Sequence, residues 1–197
     1  MTRRAIFSIG GFVLAAAAVW WLLFVAVPRW YRGDAAAPVA DGQAAAADPA
    51  ARRKITATLF FISEDGMSLV PVQREVAFAE PDVEQARQIV EAQIAPAAAP
   101  LASAIPPGTK LRAIFVSERG DAFVDLSGEV TARHTGGALD ELFTVYAIVN
   151  SLTVTLPAIT RVQILVDGRE VDTLAGHVDL RNPLSKNLTW VTSDKPS

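Results

Sequence analysis

The sequence predicts an α+β fold: a mixed sheet with helices on one face, built in the order ββα, ββα, ββ. Three observations predict it. Ile55, Ala57, Leu59 and Phe61 recur at every second position, the period of a half-buried strand. Val83, Ala86, Val90 and Ile94 recur at the spacing of one helix face. Asp167-Gly168, set between apolar runs, is a strong hairpin signal.

Each element follows in order. After the Glu64-Asp65-Gly66 turn, Val70, Val72, Val76 and Phe78 share a face of a second strand. Pro71 cannot donate to a ladder and marks that strand as an edge. Pro81 fits the first position of the next helix, with Asp82 and Glu84 in the turn where the helix dipole favours acids. Pro96 and Pro100 close it, and residues 101–110 form a loop anchored by Leu101 and Ile105. Strands follow over residues 111–116 and 122–126, joined as a hairpin by Glu118-Arg119-Gly120-Asp121. Gly136-Gly137 lead into a helix reaching about Thr153, with Leu139, Leu142, Phe143, Tyr146, Val149 and Leu152 on its buried side. Residues 159–166 form a further strand, and residues 171–184 a closing segment.

Upstream the pattern is different. Residues 5–27, from Ala5 to Val27, are an uncharged run long enough, at roughly 34 Å, to cross a hydrocarbon core of about 30 Å. Trp20, Trp21, Trp30 and Tyr31 fit an interfacial aromatic belt. A cleaved signal peptide is the competing reading, but its apolar region runs only about 7–15 residues and ends at small side chains. The expected organisation is a signal anchor over residues 1–32, an Ala/Gly/Pro-rich linker over 33–54, a domain over 55–187 and a tail over 188–197. The flanking arginines nearly balance, and the bulk of the chain follows the helix, so an N-in orientation is expected. That places the chain as a single-pass protein of the inner (cytoplasmic) membrane with its C-terminal domain outside the cytoplasm.

Charge divides the same way. Residues 1–54 carry a net +4 and residues 55–197 a net −7. A domain of that sign repels a phosphate backbone, so nucleic acid is excluded as a partner. There is no cysteine, which removes a disulfide scaffold, a thiol nucleophile and a lipidated N-terminal cysteine.

Five segments occur in a characteristic order: IPPGTKL (105–111), VDLS (124–127), Gly-Gly before a helix containing IVNSL (148–152), VQILVDGREV (162–171) and LAGHVDL (174–180). Together they resemble the GerMN domain, a module named for sporulation and spore-germination proteins. The resemblance covers about residues 55–187, and a departure is Val154-Thr155, where the family usually carries Thr and an acid. It implies a domain like the ring-building modules of envelope complexes, without established catalytic activity. It also implies envelope proteins as partners, a second copy of the chain among them, or peptidoglycan.

No catalytic, cofactor or metal constellation is expected. His134 and His177 lack a ligand neighbour at helical spacing. His177 lies two residues from Asp179, which invites an acid–base reading, but no nucleophile lies near in sequence, and a packed, hydrogen-bonded ring is the plainer role. Ser127 reads as a turn or cap residue and Ser151 as a nucleophile by composition alone. Asn150, in an apolar helix stretch, needs partners for its amide and is expected to clip a loop to the helix, with a ligand contact as the alternative. Gly108 and Gly137 read as turn glycines, and Glu64-Asp65 and Asp140-Glu141 as exposed turn and helix-start acids. The expected function is a non-enzymatic, membrane-tethered interaction module of the envelope, with a peptidoglycan- or glycan-binding module as the alternative.

Overall fold

Two sheets, not one, carry the strands. The computed structural model describes residues 53–192. Their elements are β1 (Lys54–Ile62), β2 (Leu69–Ala77), α1 (Asp82–Ile94), β3 (Leu111–Val116), β4 (Asp121–Leu126), α2 (Glu129–Ala132), α3 (Ala138–Thr155), β5 (Arg161–Val166), β6 (Arg169–Glu170) and β7 (Leu184–Ser185). β1 and β2 pair antiparallel by themselves, Ile62 opposite Leu69. The second sheet runs β3-β4-β5-β6, with β7 also on β5. β4 and β5 are parallel, and the helical crossover between them is what parallel pairing requires. The α+β class and mixed pairing match the expectation; the single continuous sheet is corrected.

The outer edge of β1 explains the division. Residues 58, 60 and 62 point their main-chain groups away from β2, and each meets a partner that is not a strand of the second sheet. The Thr58 N–H donates to Thr155 Oγ1 at 3.0 Å. The Phe60 N–H donates to Gln93 Oε1 at 2.9 Å, and Gln93 Nε2 donates back to the Phe60 carbonyl at 2.8 Å. The Ile62 N–H donates to the Ala102 carbonyl at 2.8 Å. A helix side chain thus gives Phe60 both bonds that a neighbouring strand would, and the edge closes without one.

The two long helices, α1 and α3, share one core with both sheets. α1 packs against β1, β2, β3 and α3, and α3 against β1, β5 and β7. Phe60, Phe61, Phe143, Ile148, Leu152 and Ile164 are fully buried there, each contributing about 1.5–3 kcal/mol by leaving water. Because Phe60 is buried as well as Leu59 and Phe61, β1 is covered on both faces near its end rather than half-buried. Pro81 stands just before α1 instead of opening it, and α3 runs to Thr155. Gly120, between β3 and β4, has φ +82° and a Cβ there would sit 2.6 Å from the Ala158 carbonyl, so only glycine fits.

Residues 188–192, expected in the tail, return to the first hairpin. The Leu69 N–H donates to the Trp190 carbonyl at 2.8 Å and the Thr192 N–H to the Leu69 carbonyl at 2.9 Å. The expected membrane segment, residues 5–27, lies outside the described residues. Among the described residues, no helix is long and apolar enough to cross a membrane.

Replacing Gln93 with Leu strands the Phe60 N–H and carbonyl in a dry core. An unfolding midpoint in urea should fall by an amount equivalent to about 3 kcal/mol or more, whereas Gln73→Leu on the exposed edge of β2 should stay within about 0.5 kcal/mol.

Candidate functional site

The residues singled out from sequence do not converge on one place. Asn150 is fully buried on α3, where its Nδ2 donates to the Asn187 carbonyl at 2.7 Å and its Oδ1 accepts the Asn187 N–H at 3.0 Å. One amide thereby fixes both main-chain groups of one residue. Gly108 has φ +85°, and a Cβ there would lie 3.3 Å from Arg133 Nη1, so the IPPGTK loop runs close beneath that guanidinium. Gly137, at φ +92°, immediately precedes α3. Asp179 bonds Arg181 through two contacts of 2.9 and 2.6 Å. That pairing holds its carboxyl down at about 2, with the Arg181 side chain and then the Arg181 N–H as the main causes. The His177–Asp179 pair that the spacing invites is not formed.

His177 faces Glu141 instead. Glu141 sits in the first turn of α3 and is 0% exposed, which corrects its reading as an exposed helix-start acid. Its Oε1 accepts the Leu174 N–H at 2.7 Å, and its Oε2 accepts the His177 N–H at 2.7 Å, with His177 Nδ1 at 3.2 Å. Burial pushes the Glu141 carboxyl up, but the N–H groups of Ala175, His177, Leu174 and Val178 outweigh it and hold the group below its ordinary value. The LAGHV segment is therefore a cradle of backbone donors wrapped on a carboxylate from the helix.

The other candidate nucleophiles and bases have structural partners too. The Ser151 hydroxyl donates to Gln93 Oε1 at 2.7 Å. Ser127 Oγ accepts the Lys110 N–H at 3.0 Å rather than capping a helix. His134 Nδ1 accepts the Gly136 N–H at 3.0 Å, and its Nε2 lies 3.3 Å from Thr144 Oγ1, whose own proton goes to the Ala104 carbonyl. Gln85 bonds the Ala77 carbonyl and the Ala79 N–H, and Gln163 bonds the Leu180 carbonyl. Among the described residues no buried side-chain nitrogen or oxygen lacks a partner.

Sequence reasoning missed Gln93 and Glu141, although a signal was present. Gln93 lies three residues after Val90 and seven after Ala86; Glu141 precedes Val145 by four and Ile148 by seven. Each polar residue stands on its helix's buried stripe.

It also missed an open surface. The outer face of the second sheet carries Phe115 opposite half-buried Phe123, and the row ends at Gln163 on β5, which the Leu180 segment buries. Phe115 is 62% exposed. Fixed ion pairs flank this row: Arg161 grips Asp121 at 2.7 and 3.0 Å on one side, and on the other Arg112 bridges Asp125 at 3.1 Å and Asp167 at 2.9 Å. Trp190, 43% exposed, is a second aromatic that does not belong to the core.

Taken together, these features define a small α+β domain whose buried amides and Glu141 serve its own backbone, while Phe115 faces outward. The family model Germane, described as sporulation and spore germination, matches residues 58–172, more than half of the sequence, and the chain belongs to this family of GerMN-type domains. The tandem GerMN domains of the sporulation protein GerM from Bacillus subtilis share the fold at 19% identity and a TM-score of 0.53, over 68% of this chain and 46% of that one. The first GerMN domain of the same protein aligns at 18% identity and a TM-score of 0.49, over 68% of this chain and 96% of that one. A candidate lipoprotein from Clostridium perfringens aligns at 27% identity and a TM-score of 0.48, over 68% of this chain and 88% of that one. No curated protein sequence matches the chain.

Glu141 sets an expectation for acid. Its depressed folded value means its stabilisation is complete above its unfolded value of 4.5 and is lost as pH falls through the folded value. Glu141→Gln should lower the denaturation midpoint at pH 7, and the gap between variant and parent should close as pH is taken well below 4.5. Midpoints measured from pH 7 to pH 2 test this; a gap that stays constant would remove Glu141 from the acid response.

Proposed function

We propose that the chain is a non-enzymatic, membrane-tethered module of the cell envelope that helps assemble or position a protein complex. The observation that carries this reading is Phe115, a large aromatic left 62% exposed on the sheet face beside Phe123. An apolar centre bounded by charged residues is the anatomy of a protein contact, where aromatic anchors supply most of the binding free energy. The absence of a role for chemistry is supported by the engagement of His134, Ser151 and Glu141 in structural hydrogen bonds. The uncharged residues 5–27 supply the tether, and the net −7 of residues 55–197 suits the domain to a side of the membrane away from anionic phosphate partners. Envelope proteins are the leading partners, with a second copy of the chain among them. Exposed Trp190 favours glycan as the second reading, since stacking on a sugar face needs an accessible ring.

Crosslinking in native membranes followed by co-purification tests the main reading. Phe115→Glu should abolish the crosslinked species while shifting stability by no more than about 0.5 kcal/mol, as befits an exposed position. Retention of the chain on purified sacculi, lost on Trp190→Ala but not on Phe115→Glu, would favour glycan instead. Alkaline phosphatase fused at the C-terminus should be active if the domain is exported.

A further inference from the structure

The second sheet begins at β3, which pairs only with β4. The Ser117 N–H donates to the Asp121 carbonyl at 2.9 Å, so Ser117 turns its main-chain groups toward β4. Along an antiparallel pair that direction alternates. Phe115 therefore also bonds toward β4, while Ile114 and Val116 turn their N–H and carbonyl groups outward. These outward groups have no partner among the described residues. Main-chain groups are paired when buried, so this stretch of edge stands in water.

Side chains here divide between two faces. Ile114 and Val116 pack on the core, where α1 lies, and Phe115 points to the outer face. Beside Val116 an open recess is walled by Glu80, Pro81, Asp82 and Val83, so no described element fills the space at that end. At the start of β3 the register shifts between Leu111 and Ala113, and this bulge confines regular pairing on the outer edge to Ile114–Val116. The edge thus offers two bonding residues, placed symmetrically about the exposed ring of Phe115.

That symmetry selects the occupant. A second β3, run antiparallel with Phe115 opposite Phe115, pairs Ile114 of each copy with Val116 of the other, and each such pair exchanges both N–H···O bonds. No outward group of either residue is left over. Phe115 then falls at a non-hydrogen-bonded position, where opposite Cα atoms stand about 4.5 Å apart, and the two rings cover each other. Charge points the same way. Glu80 and Asp82 wall the recess at the Val116 end, exposed Lys110 precedes the other end, and Glu118 and Arg119 in the turn offset each other. Antiparallel pairing directs Lys110 of each copy toward the acids of the other.

We infer that two copies of the chain associate edge to edge through β3, about a two-fold axis at Phe115, joining their second sheets into one. Such a contact is isologous, so it closes at two copies and does not propagate. The inference rests on the reading of the chain as an interaction module and names that module's partner.

The chain has no cysteine, so a single introduced thiol can form a disulfide only with another copy. The test uses the purified full chain in detergent micelles, oxidised with copper phenanthroline and separated without reductant. Phe115→Cys should crosslink at least about tenfold faster than Thr56→Cys, an exposed site on the other sheet, because opposed Cα atoms lie within disulfide reach. A second measurement keeps the Phe115 ring in place. A mixture of Ala113→Cys and Ser117→Cys should crosslink, since these positions face each other across the axis. Each alone should not, its own counterpart lying roughly 13 Å away along the strand. Adding Phe115→Glu to both should return the mixture to the Thr56→Cys rate, because like charges would then stand opposite each other. Equal rates at all sites, or a mixture no faster than its components, would overturn the inference. That result would leave the native-membrane crosslink standing, because that experiment admits any partner and this one only the chain itself.

Discussion

The fold depends on how the outer edge of β1 is satisfied. A buried strand edge with bare N–H and carbonyl groups would cost free energy at every second residue. Gln93 removes that cost at Phe60 by presenting an amide in the geometry of a peptide, and Ser151 fixes the amide's orientation by donating to the same oxygen. Because Gln93 stands on α1 and Ser151 on α3, one hydrogen-bonded cluster sets the position of two helices against one strand. The core residues around it supply most of the driving force; the cluster determines which arrangement of them is reached.

The same device recurs through the domain. Gln85 secures the exit from β2, Asn150 secures Asn187, and Gln163 secures Leu180. Glu141 does for an entire turn what the amides do for single residues, since a carboxylate can accept several donors at once. Irregular segments with no ladder of their own are thereby held by side chains from regular ones. The surface proposed above for a partner is what remains when this internal accounting is complete: Phe115, exposed beside half-buried Phe123 on the outer sheet face.

Much of this was legible in the sequence, and the limits have physical causes. Period-two and period-3.6 patterns located β1, β2, α1 and α3, because those elements are long enough for a face to repeat. Pro71 was readable as an edge residue because its missing donor is a local property. The separation of the sheets was not readable, since it turns on a contact between Phe60 and Gln93 that only tertiary structure brings about. Hydrophobic patterning also misreads a polar residue on an apolar stripe as an interruption; Glu141 was placed at the surface for that reason. The exposure of Phe115 escaped because alternation gives the two faces of a strand without saying which neighbours cover them, and β3 has buried Ile114 directly beside it.

The return of Trp190 and Thr192 to Leu69 has a consequence for biogenesis. β1 and β2 are made early, yet the outward groups of Leu69 remain bare until residues more than a hundred positions later arrive. Contacts of that separation form late, after the loop between them has been organised. A chain made from its N-terminal end therefore carries its first hairpin unfinished until nearly the whole domain has been synthesised. During that interval the outward groups of Leu69 are available to any escort that binds extended chain, and completion of the first hairpin waits on completion of the domain.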